Sequence, residues 1–149
     1  MFNLVQHEIE EKQWGNIPIQ VYFFWNEKKL TNSGQIHIRS RQKIGFSSDD
    51  FVDVYIDMEN CQLIIINGSK FKPPYKQKAN DVDVWRSIAQ GNKKSQDFDF
   101  KYRPIFNLLN IKKTITLPGK KVRASKYVGQ TYDIEQFAIL VDLTPILKN

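Results

Sequence analysis

The residues best placed to do chemistry are Asp99 and Lys101, two positions apart in the run Asp97-Phe98-Asp99-Phe100-Lys101, with Asp81 and Asp83 upstream. On a strand, residues i and i+2 project to one face. A metal-dependent nuclease of the D…(D/E)-x-K type needs that arrangement, because two carboxylates hold Mg²⁺ and the lysine polarises the attacking water. The pattern is short, and it arises readily in a chain with 26% charged residues. Asp81 and Asp83 also fit a different role, at the positive end of a helix dipole. The expectation is therefore a protein without enzymatic activity. Other catalytic templates are missing: the sequence has no glycine-rich phosphate loop and no G-x-S-x-G elbow. Cys61, the single cysteine, excludes a disulfide within the chain and a multi-cysteine zinc site, and reads as a packing residue. Two histidines, His7 and His37, supply too few ligands for a histidine-rich metal centre, so neither metal nor cofactor is expected.

Charge carries more information than these side chains. The net of +6 is concentrated in one segment: residues 71–126 hold fourteen basic and four acidic side chains, a net of +10, while the first 70 residues are close to balanced. A lysine-rich segment interleaved with Phe71, Tyr75, Trp85, Phe98, Phe100, Tyr102 and Tyr127 is the electrostatic footprint of a polyanion binder. Arg86, Lys93, Lys94, Lys112, Lys113, Lys120, Lys121 and Arg123 are the candidate phosphate contacts. For each single aromatic in the segment, burial in a core is the simpler expectation, because Phe98, Phe100 and Tyr102 fall on one face of a strand.

The elements that must position these groups read mostly as antiparallel sheet. Ile17–Trp25 is rich in β-branched and aromatic residues, and Gln35–Arg39 and Val52–Asp57 alternate apolar and polar side chains. Met58–Cys61 reads as a turn into a buried strand, Gln62–Ile66, ended by Asn67-Gly68. Phe71-Lys72-Pro73-Pro74-Tyr75 is a connector, since consecutive prolines donate no ladder bonds. Asn80 to Gly91 is predicted to be a short helix, with Asn80 as cap, acidic residues in its first turn and Val82, Trp85, Ile88 and Ala89 at helical spacing. Phe98–Tyr102 is expected to be a strand, and Pro104 to open a second short helix reaching Asn110. Two further strands are predicted near Lys113–Leu117 and Val122–Tyr127. The last strand, Gln136–Leu143, is apolar on both faces and hence central.

Within this arrangement, Gly34-Gln35-Ile36-His37-Ile38, Phe46, Val54-Tyr55-Ile56-Asp57 and Gln62-Leu63-Ile64-Ile65-Ile66 together resemble the swapped-hairpin DNA-binding family typified by AbrB-like regulators and MazE-like antitoxins. The resemblance covers about residues 34–66. It implies an intertwined dimer in which Arg39, Arg41 and Lys43 face DNA.

The fold class expected from these readings is α+β, mostly antiparallel β-sheet with two short helices near 80–90 and 104–110. It is one compact domain over 1–149, with 1–70 and 80–149 as its β-rich and basic sub-modules. The function expected is non-enzymatic nucleic-acid binding, DNA or RNA, through the basic second half. The alternative is a phage or mobile-element protein that binds and inhibits a host protein with an acidic surface. No apolar run approaches the roughly eighteen residues that cross a bilayer, and the N-terminus lacks the basic start and apolar stretch of a leader. A cytoplasmic protein with no membrane partner is expected.

Overall fold

A computed structural model describes residues 11–25, 34–68, 83–91, 97–128 and 136–148, with only the backbone described at 83–86 and 128. The strands are β1 (Ile19–Phe24), β2 (Gln35–Ser40), β3 (Phe51–Asp57), β4 (Gln62–Asn67), β5 (Asp83–Ile88), β6 (Gln90–Gly91), β7 (Phe98–Lys101), β8 (Ile115–Arg123) and β9 (Phe137–Asp142). Three short helices accompany them, α1 (Arg103–Leu108), α2 (Ser125–Val128) and α3 (Thr144–Leu147), and residues 11–14 form a further helical segment. All nine strands belong to one antiparallel sheet in the order β5-β3-β4-β9-β8-β1-β2-β7-β6.

The two edges of that order are consecutive in the chain, separated by Ala89 alone. At Ala89 the backbone leaves β3, its N–H donating to the Asp50 carbonyl and its carbonyl accepting from the Asp49 N–H, both at 2.8 Å. It then pairs with β7 through Gln90 and Gly91. One segment, 83–91, thus laces the first strand of the sheet to the last, and the sheet curls into a nearly closed barrel. Closing the sheet protects its edges from pairing with other chains.

The interior follows from the period of two. Val21 and Phe23 of β1, Ile36 and Ile38 of β2, Val54 of β3 and Leu63 of β4 all point inward and are fully buried in one cluster. One end of the barrel is stopped by α1, where Phe106 packs against Phe23 and Trp25 with ring centroids 6.3 and 6.1 Å apart. Proline in the first turn of α1 is compatible with the missing N–H. Around β3, β4, β8 and β9 the outer face is covered as well: Tyr55, Ile64, Ile66, Val122 and Ala138 form a second buried cluster. Strands buried on both faces are why Ile64-Ile65-Ile66 and Phe137–Val141 read as unbroken apolar runs.

The antiparallel sheet, the hairpin β3–β4, the central position of β9 and the helix after Pro104 match the sequence expectation. The helix predicted near 80–90 does not form: residues 83–88 are a strand, paired with β3 from Phe51↔Ile88 to Ile56↔Asp83. Val84, Trp85 and Ile88 serve a strand as well as a helix, and the open edge of β3 decides between them. Gly91, read as a helix stop, is needed for another reason: a Cβ there would lie 2.8 Å from the Asp97 carbonyl oxygen on the neighbouring segment. The two strands expected at 113–117 and 122–127 are a single one, β8, followed by the turn of α2. β8 runs through Pro118-Gly119 because it changes partner there, pairing with β1 up to Gly119 and with β9 from Gly119 onward. The connector expected at 71–75 lies outside the described residues.

Candidate nucleic-acid interface

Among the described residues no element covers the outer face of β1, β2 and β7, and cross-strand register sets what stands on it. Tyr22 faces His37, which faces Asp99; Phe24 faces Gln35, which faces Lys101. Phe24 is 36% exposed and its ring stacks on that of His37, with centroids 5.2 Å apart and an interplanar angle of 24°. Arg39 holds the far side of the imidazole, its Nη2 3.3 Å from His37 Nδ1, while His37 Nε2 lies 3.2 Å from Gln35 Oε1. The guanidinium donates only, so Nδ1 accepts and Nε2–H donates to the Gln35 carbonyl oxygen. That neutral tautomer agrees with the direction of the His37 pKa, which partial burial pushes below its ordinary value; Asp99 pulls it upward and Arg39 downward. Asp99 is held by Arg39 at 3.0 Å and stands 3.6 Å from the imidazole, beyond hydrogen-bond reach.

A basic rim borders the Phe24 end of this face. Lys101 and Arg103 leave β7 for α1, and there the chain is fixed to β2: the Tyr102 N–H donates to the Gly34 carbonyl at 2.7 Å. Gly34, at φ +97°, approaches so closely that a Cβ would sit 2.7 Å from the Arg103 Cα. Lys112 and Lys113 arrive from the other side, on the loop before β8, which Thr114 ties to the end of β1 by accepting from the Trp25 N–H at 3.2 Å. Lys101, Arg103, Lys112 and Lys113 are all exposed. Beyond β7 the face continues into an open hollow of about 350 Å³, flanked by Gln35, Ser87, Ile88, Gln90, Asp99 and Lys101.

The remaining basic candidates separate. Lys120 is exposed on the other side of β8 and borders, with Lys12, a groove of about 800 Å³. Lys121 and Arg123 are not available to a phosphate backbone on the surface: they are 7% and 5% exposed, because Leu117, Gly119, Lys121 and Arg123 share the inward face of β8. Their cationic heads lie over the rings of Trp14 and Phe137, Lys121 at 4.7 and 3.9 Å and Arg123 at 4.9 Å from each centroid. Glu11 of the helical segment 11–14 reaches Arg123 at 4.0 Å and Lys126 at 2.7 Å, and Gln42 donates from its side-chain amide to the carbonyls of Trp14 and Ile17. Arg86 is on β5 opposite Asp53; Lys93 and Lys94 lie outside the described residues. Arg39 is committed to Asp97 and Asp99, whereas Arg41 and Lys43 are exposed after β2.

Asp99 and Lys101 do share the outward face of β7, as the spacing requires, and Asp83 stands on β5; Asp81 lies outside the described residues. Among the described residues no group of three or more His, Cys, Asp and Glu side chains is placed to hold a metal ion. Phe98, Phe100 and Tyr102 are buried and Tyr127 half-buried. Among the described residues the aromatic side chain most open to solvent is Phe24 of β1, in the balanced half of the chain, where the alternation Gln20-Val21-Tyr22-Phe23-Phe24 places half-buried Tyr22 and exposed Phe24 opposite the core residues. Comparison with protein-family models, with curated proteins and with solved structures found no match to this chain.

Proposed function

We propose that this barrel binds nucleic acid without acting on it chemically, using the outer face of β1, β2 and β7 and the basic rim beside it. The observation that carries the reading is the convergence of Lys101, Arg103, Lys112 and Lys113, from two separate segments, on the exposed Phe24 edge. Cations spaced around an aromatic sheet face suit a ligand that alternates phosphates with rings. The charge excess of residues 71–126 supports the same reading; among its described members, Lys121 and Arg123 are held inside the protein, while Lys101, Arg103, Lys112 and Lys113 stand at the rim.

The test is fluorescence anisotropy of a labelled oligonucleotide at rising salt. Four phosphate contacts give a slope of log affinity against log salt of about −3, and a Lys112→Gln/Lys113→Gln double variant should reduce it by about half. Absence of binding at low salt would remove the reading and leave the rim as a surface for an acidic protein partner.

A further inference from the structure

We infer that the ligand taken by this face is single-stranded, with its bases turned onto the sheet and its phosphates on the rim. The inference rests on the proposed nucleic-acid reading and adds the strand state. Three features of the face favour unpaired bases. The first is the Phe24–His37 stack. His37 covers one side of the Phe24 ring, so the solvent exposure of Phe24 belongs to its other side and edge, where a base can continue the stack; a duplex keeps its own base faces covered. The second is the hollow beyond β7, which combines the apolar side chain of Ile88, 50% exposed, with the hydrogen-bonding side chains of Gln35, Ser87 and Gln90. An exposed apolar side chain with amides and a hydroxyl at its margin suits the face and edge of one splayed base. The third is the placement of charge. Asp99 stands on β7 beside His37 and Asp97 at the end of the face away from Phe24, both on Arg39, and their carboxylates make that end a poor place for phosphate, while Lys101, Arg103, Lys112 and Lys113 draw phosphates to the Phe24 end. A backbone held along the rim, with its bases turned onto the Phe24–His37 stack and the hollow beyond β7, is the consequence.

The experiment compares, by anisotropy at one low salt concentration, a short labelled pyrimidine strand, the same strand in a duplex, and an abasic strand of equal length. The expected order is single strand far above both others. Phe24→Ala should weaken single-strand binding by about 5- to 150-fold, and Ile88→Ala, which removes an apolar contact and no ring, by less. The salt slope should stay unchanged in both, and the loss of the Phe24–His37 stack should lower the melting temperature only slightly. Phe24→Trp, which keeps a ring, should restore single-strand binding. Duplex or abasic binding as tight as that of the single strand overturns the inference and leaves the proposed function standing. So does full single-strand affinity in both alanine variants. Failure of all three ligands to bind removes the proposed function itself.

Discussion

Gly119 is the position where the barrel is most sensitive to a single methyl group. It faces inward at the point where β8 exchanges β1 for β9 as partner, and a Cβ built there would lie 2.9 Å from Ile139 Cγ2, 3.0 Å from Ile19 Cγ2 and 3.1 Å from Val21 Cγ2. Carbon atoms pack best at about 3.5–4.0 Å, so three methyl groups on two neighbouring strands must retreat together. None can do so by a cheap rotation, because all three belong to β-branched side chains with stiff χ1 buried in the same cluster. Overpacking of this kind costs about 1–3 kcal/mol, and the lower chain entropy of alanine in the unfolded state returns about 0.4–1 kcal/mol. The middle of the two ranges leaves an expected net loss for Gly119→Ala of about 1.3 kcal/mol, which for a chain of this length lowers the melting temperature by about 3–5 °C. Gly15→Ala is the matched control, since its nearest contact is an ordinary 3.5 Å. Thermal unfolding followed by circular dichroism decides the matter. A Gly119→Ala protein that melts with or above the wild type would refute the convergence of β1, β8 and β9 on this point.

Two other perturbations read the core and the open face. Val54, fully buried inside the barrel, should not tolerate Asp: an unpaired buried carboxylate costs more than about 4 kcal/mol, and a Val54→Asp protein that stays soluble and melts cooperatively would show the strand facing the other way. His37 should make stability depend on pH, because its pKa is lowered in the folded state and the unfolded chain therefore binds more protons below the ordinary value of 6.5. Its contribution is complete above that value and is lost as the pH falls from 6.5 through the lowered folded value; urea unfolding of wild type and His37→Gln at neutral and mildly acid pH should diverge in that window, and parallel curves would contradict the tautomer described above.

How much of this was legible before folding depends on whether a signal was local. The alternation in β1, β2 and β3 declares both strand and face, and the buried hairpin β3–β4 follows from it. The segment 83–88 could not be settled locally, because its apolar spacing satisfies two periods and the choice is made by the unpaired edge of β3, more than twenty residues away in sequence. The same holds for the charge map. Counting cations finds the basic segment but not its inner and outer members, since the division depends on β8 continuing through Pro118-Gly119. Once it continues, Leu117 fixes the parity and Lys121 and Arg123 turn inward. The aromatic face of β1 lies in the charge-balanced half of the chain, where a count of cations does not point.

That parity has a consequence for binding that distinguishes cations of one segment from one another. Lys113 and Lys121 are eight residues apart, and composition treats them alike. Replacing Lys112 or Lys113 by Gln should leave the fold untouched, since both are exposed, and should make the salt slope of single-strand binding shallower by about 0.7 for each contact removed. Lys121→Met should do the reverse. The thioether keeps the packing of the lysine stem, but the attraction of the ammonium for the rings of Trp14 and Phe137, 4.7 and 3.9 Å away, is lost. Contacts of that kind are worth about 0.5–2 kcal/mol, and the lighter cost of burying a neutral group offsets part of it. A lowered melting temperature with an unchanged slope is therefore expected. If Lys121→Met flattened the slope as much as Lys113→Gln does, the ammonium would have to be reaching phosphate, which requires the segment 11–17 to leave the barrel when the ligand binds, and the rim would no longer account for the affinity.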